Sequence, residues 1–267
     1  MKLGHRLSPK VMPGTDLRIF MQRAAEPVVR RGNPEETLSG KASMRSRLWY
    51  ATIGLTLLLP GLAAGQAATD AAPPVAPDSV ARRLLSDVRA LDSTIVVETR
   101  YATTRNFTGE PLPGYEANRA LLRNEAAAAL ARVQRRLMTG GMGLKVFDGY
   151  RPVRATLAMV EWARRTGQMH LIQDGYIASR SRHNLGLAVD LTLVDMAVGG
   201  REVDMGTPYD TFSDAAHYAS ATGRTLRYRQ VLRRAMESEG FTQYEQEWWH
   251  YSYEVPGPPV AFDMVVR

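Results

Sequence analysis

The most constraining feature of the chain is one carboxylate in the wrong kind of neighbourhood. Leu187-Ala188-Val189-Asp190-Leu191-Thr192-Leu193-Val194 reads as a strand with a buried face, and Asp190 interrupts it. Burying a carboxylate without a cation is costly, so the fold must bring something to Asp190. Seven residues earlier lies His183, in the polar loop Ser181-Arg182-His183-Asn184. Gly186 between them lets the loop fold back, so that both side chains can reach one ion. A third candidate, His250, ends Glu247-Trp248-Trp249-His250 near the C-terminus. Taken singly, each of the three is more readily a satisfied core histidine or a strand-edge aspartate than a ligand.

Beyond its N-terminal leader the chain offers only His170, His183, His217 and His250, and it has no cysteine. Thiolate metal sites, disulfides, a cysteine nucleophile and a lipoprotein anchor are therefore excluded. Zinc accepts imidazole nitrogen and carboxylate oxygen, and a catalytic site keeps three protein ligands and one open position. Glu247 precedes His250 by three residues, so a turn would place its carboxylate beside the metal, where it could move a proton. Its bland alternative is a surface Glu near Glu245, and Trp248 and Trp249 read as packing. Arg151 ends Asp148-Gly149-Tyr150-Arg151-Pro152; Pro152 favours an extended Arg151 and Gly149 a tight bend. An arginine held there can steady a developing oxyanion or simply pair with Asp148.

Charge enters the argument through its distribution. Residues 1–47 carry 10 Lys/Arg against 4 Asp/Glu, whereas residues 48–267 carry 24 against 23. Of the net charge of +7, +6 belongs to the leader, and a nucleic-acid partner, which calls for a basic folded face, is not expected. Met44-Arg45-Ser46-Arg47 precedes the uncharged run Leu48–Thr69, with Pro60-Gly61 and then small residues. This is the pattern of a secretory signal peptide, cleaved after Ala64 or Ala67; an uncleaved membrane anchor is the alternative. The expected division is 1–43 unstructured or an over-extended reading with Met44 as the true start, 44–67 signal peptide, 68–79 Pro/Ala linker, and 80–267 one domain. No membrane partner is expected unless the leader stays uncleaved.

Within the domain the pattern predicts strands at Thr94–Glu98, Leu144–Asp148, Leu187–Val194 and Trp249–Tyr253. It predicts helices over Glu116–Met138, stopped by Gly140-Gly141, over Val153–Arg165, and over Leu226–Glu239. Strands and helices mix without regular βαβ alternation, which indicates α+β with a small, mostly antiparallel sheet flanked by helices.

Several ordered stretches then carry a resemblance: Tyr101-Ala102-Thr103, Asn106-Phe107-Thr108-Gly109, Gly114-Tyr115-Glu116 with Asn118-Arg119, Asp148-Gly149-Tyr150-Arg151-Pro152, Ser181, His183, Gly186 and Ala188 with Asp190-Leu191-Thr192-Leu193, Met205-Gly206, Asp210, and Glu247-Trp248-Trp249-His250-Tyr251. The chain resembles the VanX-type D-alanyl-D-alanine dipeptidases of the zinc DD-peptidase and hedgehog-like superfamily, over most of residues 95–265. The resemblance implies one zinc ion held by His183, Asp190 and His250, Glu247 as acid/base, and Arg151 stabilising the transition state. It further implies Asp210 on the ammonium of a small dipeptide, with Ser181 and Tyr101 nearby. His217 receives no role.

Such enzymes usually act in the cytoplasm. The leader argues instead for export to the periplasm and for dipeptide released from the cell wall, with the cytoplasm as the alternative. Rival readings are a zinc DD-carboxypeptidase acting on peptidoglycan stems and a non-catalytic zinc-binding wall module, against which the pairing of Glu247 with Arg151 argues.

Overall fold

A computed structural model describes residues 74–258 and 260–267. The leader segments 1–43 and 44–67 lie outside the described residues, as does most of the stretch expected as a linker. The described end of that stretch is built into the domain rather than free. Strand β1 (Val75–Ala76) pairs in parallel with β10 (Ala261–Phe262), and helix α1 (Asp78–Leu84) starts directly after it.

The centre is a six-stranded mixed sheet. Its order is β3 (Val96–Val97), β5 (Met142–Asp148), β6 (Ala188–Asp195), β9 (His250–Tyr253) and β8 (Phe241–Gln243), with β7 (Arg201–Glu202) on the far end of β6. Only β3 with β5 runs parallel; the other pairings are antiparallel, as expected. Strand β6 departs from expectation in one respect: from Ala188 to Val194 it is buried on both faces, Thr192 included. On one face Val189, Leu191 and Leu193 meet helix α3 (Asn124–Met138) and helix α6 (Gly223–Glu237) through Leu130, Val133, Leu232 and Met236. A second apolar cluster joins helix α4 (Val153–Arg165) to Tyr101, Tyr115, Tyr150 and Phe262.

The helix expected from Glu116 begins only at Asn124. Leu121–Arg123 is instead strand β4, antiparallel to β2 (Leu85–Asp87). Leu121 and Leu122 fit a helical period, but their backbone is claimed elsewhere. The Leu121 carbonyl accepts from the Tyr150 N–H at 2.5 Å, and the Arg123 N–H donates to the Gly186 carbonyl at 2.8 Å. Loops 149–151 and 183–186 both hang on this short strand, so its extended form serves the site. Helix α4, by contrast, spans the expected residues, with Pro152 before it and Gly167, at φ 74°, after it.

Candidate metal centre and active site

Three neighbouring strands set the geometry. Asp190 on β6 is directly opposite His250 on β9 and directly opposite Asp148 on β5, so the three share one row. That alignment needs an irregularity. Val146 pairs with Leu191 and Asp148 with Asp190, so Phe147 is one extra residue on β5. The bulge advances Asp148 into the row; in unbroken register Phe147 would face Asp190.

His183 arrives from a 3₁₀ turn, Arg182–Leu185. Ser181 caps it: its hydroxyl accepts from the His183 N–H at 3.2 Å, while the Asn184 side chain accepts from the Ser181 N–H at 3.1 Å. Gly186 ends the turn at φ 66°; a Cβ there would sit 2.5 Å from Leu85 Cδ2 and 3.2 Å from the Arg123 nitrogen. The His183 Nδ1 lies 2.7 Å from the Gly149 carbonyl oxygen. A carbonyl only accepts, so Nδ1 carries the proton and Nε2 presents a lone pair.

His183 Nε2, His250 Nδ1 and Asp190 Oδ1 converge. The two nitrogens are 3.2 Å apart, and they lie 3.3 and 3.0 Å respectively from the oxygen. Bonds of roughly 2.0–2.1 Å to a tetrahedral zinc place ligand atoms about 3.3 Å from one another. Two imidazoles and a carboxylate, closed to nearly that spacing and buried or half-buried, fit zinc in both donor chemistry and size. Burial works to raise the Asp190 carboxyl, but His183 and then His250 outweigh it and hold it well below the usual range.

Glu247 lies in the 244–249 connection between β8 and β9. That segment turns as expected, because the Glu247 N–H donates to Tyr244 and the His250 N–H to Glu247. Glu247 Oε2 comes within 3.7 Å of His250 Nδ1. Burial, and next the charge on Asp190, push its carboxyl up to about 8 against the pull of His183 and Arg151. Arg151 forms the ion pair with Asp148 at 2.9 Å and also reaches to 3.7 Å from Asp190 Oδ2. Its guanidinium lies over the Tyr101 ring, 5.0 Å from the centroid, and Nη1 has a contact to the Met159 sulfur at 3.5 Å.

Asp210 is the only non-glycine residue among the described ones with positive φ, 61°. Such a backbone costs on the order of 1–3 kcal/mol and persists where the surroundings impose it. Its Oδ1 accepts from the Tyr101 hydroxyl at 3.0 Å, whereas its Oδ2 is buried with no partner. Burial, and then the charge of Asp190, push this carboxyl well above the usual range, opposed by Tyr101 and Arg151.

All eight residues singled out in the sequence, namely Tyr101, Arg151, Ser181, His183, Asp190, Asp210, Glu247 and His250, line one cavity of about 370 Å³. Phe107, Tyr176, Phe212 and Tyr244 form part of its wall. His170 is exposed on helix α5 (His170–Gln173), away from this set; His217 holds the Tyr176 hydroxyl at 3.0 Å. Trp248 and Trp249 are buried, as packing requires.

Three supporting residues were not singled out from the sequence as parts of the site. Asp148, fully buried, binds Arg151 through one oxygen and takes the Tyr115 hydroxyl at 2.6 Å on the other. Asn184 donates to the Arg151 carbonyl and to Thr156, both at 2.9 Å. Tyr209 donates to Asp190 Oδ2 at 2.9 Å. An aspartate ending an apolar strand was a readable sign for the first; the other two gave none.

The fold and this site define a metallopeptidase, and the chain belongs to the peptidase M15 family: that family's D-ala-D-ala dipeptidase model matches residues 82–262. The chain is 36% identical over 186 residues to a D-alanyl-D-alanine dipeptidase from Enterococcus faecium, covering 64% of this chain and 92% of the relative. It is 35% identical over 195 residues to a D-alanyl-D-alanine dipeptidase from Streptomyces coelicolor, covering 67% and 96%. A solved vancomycin-resistance D,D-dipeptidase, VanXYg with a D-Ala-D-Ala phosphinate analogue, aligns at 19% identity and TM-score 0.34, over 64% of this chain and 66% of that one.

Proposed function

We propose that the chain hydrolyses D-alanyl-D-alanine to two molecules of D-alanine, with one zinc ion held by His183, Asp190 and His250. The observation that carries the reading is the convergence of those three ligand atoms within 3.0–3.3 Å, beside a buried carboxylate and an arginine, in a chain of this family. Zinc bound there supplies a Lewis acid for the scissile carbonyl and makes a water easier to deprotonate.

The protein's own groups do the rest. Asp210 receives the substrate ammonium at Oδ2, the buried oxygen without a partner, and Tyr101 steadies Oδ1. This is how a dipeptidase measures one residue ahead of the scissile bond. Glu247 takes the proton of the attacking water as its oxygen bonds to the carbonyl carbon. The same carboxyl then delivers that proton to the leaving amine nitrogen as the C–N bond breaks. Arg151, oriented by Asp148, donates to the carbonyl oxygen as that oxygen gains charge. Ser181 acts mainly by capping the turn that delivers His183.

The test compares D-Ala-D-Ala with its N-acetyl derivative and with L-Ala-L-Ala. Hydrolysis of the free D,D-dipeptide with rejection of the blocked amine is expected. Equal or faster cleavage of the acetylated substrate would replace this reading with a DD-carboxypeptidase. The basic and apolar pattern of residues 44–67 supports export, with wall-derived dipeptide as the substrate. Fractionation of producing cells checks this; a cytoplasmic chain with an intact leader would refute it.

A further inference from the structure

Asp190 has two oxygens, and only Oδ1 is turned toward the imidazoles. Its Oδ2 is taken by the Tyr209 hydroxyl at 2.9 Å, with Arg151 farther off at 3.7 Å. The Tyr209 ring is fixed from three sides. It stacks on Phe147, the bulge residue, at 4.7 Å and 27°; it meets Trp249 edge-on at 5.5 Å and Tyr101 at 6.2 Å. It also packs against both apolar clusters of the domain. The hydroxyl is therefore aimed by rigid neighbours. Its one proton has two acceptors in reach, Asp190 Oδ2 and the Tyr101 oxygen at 3.0 Å, and the ionised oxygen is the stronger one.

We infer that Tyr209 is a positioning residue for the metal centre: its hydroxyl holds Asp190 Oδ2 back so that Asp190 offers zinc Oδ1 alone. Hydrogen-bond partners behind a metal ligand fix its orientation, and losing one typically costs 10- to 100-fold in metal affinity or activity. Tyr209 also stands next to Asp210, and Tyr101 touches both, through contacts of 3.0 Å to the Tyr209 hydroxyl and to Asp210 Oδ1. The carboxylate proposed to read the substrate amine and the carboxylate proposed to hold the metal are thus joined by two phenols. The inference rests on zinc being held by His183, Asp190 and His250.

Tyr209→Phe tests it, because the ring contacts remain and only the hydroxyl goes. Zinc affinity is measured by competition with a chromogenic chelator for the wild-type chain and the variant, alongside thermal unfolding of the metal-free forms. The expected result is a zinc affinity roughly 10- to 100-fold weaker, with metal-free unfolding temperatures that coincide. Equal affinities in the two chains would overturn the inference. A wild-type chain that binds no zinc would overturn the metal assignment itself, and the same titration tells the two failures apart. Should Tyr209→Phe not fold, X-ray absorption at the zinc edge of the loaded wild-type chain decides. A carboxylate bound to zinc through one oxygen is expected, and a carboxylate bound through both would overturn the proposal.

Discussion

Glu247→Gln probes the electrostatics of the site without a substrate. In the metal-free wild-type chain burial and Asp190 raise the Glu247 carboxyl from its usual 4.5 to about 8. The folded state therefore binds a proton more tightly than the unfolded chain, and its stability falls as pH rises from about 4.5 to about 8. At roughly 1.4 kcal/mol per pH unit, the full window is worth about 5 kcal/mol, an upper bound because Asp190 responds too. Glutamine mimics the protonated carboxyl and removes this dependence. The variant should match the wild type near pH 4.5 and be more stable above pH 8, by as much as roughly 10–20 °C in unfolding temperature. The assay is thermal unfolding of chelator-treated protein across that pH range. Zinc should shrink the difference, because the cation offsets the charge of Asp190 and favours ionised Glu247. Parallel stability profiles for the two metal-free chains would refute the argument.

Other substitutions read separate parts of the site. Arg151→Met should lower kcat on D-Ala-D-Ala by about 100- to 1,000-fold, as for loss of one oxyanion donor; a kcat within threefold of wild type would remove Arg151 from the chemistry. Asp210→Asn should raise KM for the free dipeptide by about 10- to 150-fold, the value of a charged hydrogen bond. It should also narrow the gap to the N-acetyl substrate, and an undiminished preference for the free amine would place ammonium recognition elsewhere. Gly186→Ala should cost about 2–3 kcal/mol in urea unfolding, because a Cβ at φ 66° meets Leu85 and the Arg123 backbone; a neutral result would mean that β2 and β4 yield easily.

Much of the site was readable in the chain because its chemistry conflicts with its surroundings. Asp190 stood out inside an apolar strand, and Gly186 and the Glu247–His250 spacing showed how two loops could meet it. Helix α4 was legible to its ends because Pro152 and Gly167 mark them. What escaped reading depended on contacts between distant segments. Leu121 and Leu122 satisfy a helical period, and only the hydrogen bonds to Tyr150 and Gly186 make them a strand. The extra residue at Phe147 is invisible until β5 lies against β6. Strand β6 reads as having one buried face, yet it is covered on both, Thr192 included. Tyr209 carried no sign in the sequence, and its hydroxyl takes on meaning only once Asp190 is 2.9 Å away.

Zinc added back to chelator-stripped protein tests the central claim most directly, with D-alanine release from D-Ala-D-Ala as the readout. Activity should be absent in the stripped chain and rise linearly with zinc to a plateau at one equivalent. In His183→Ala it should be lost together with tight zinc binding. Undiminished hydrolysis by the fully stripped chain, or a plateau reached without zinc at these three residues, would contradict the account.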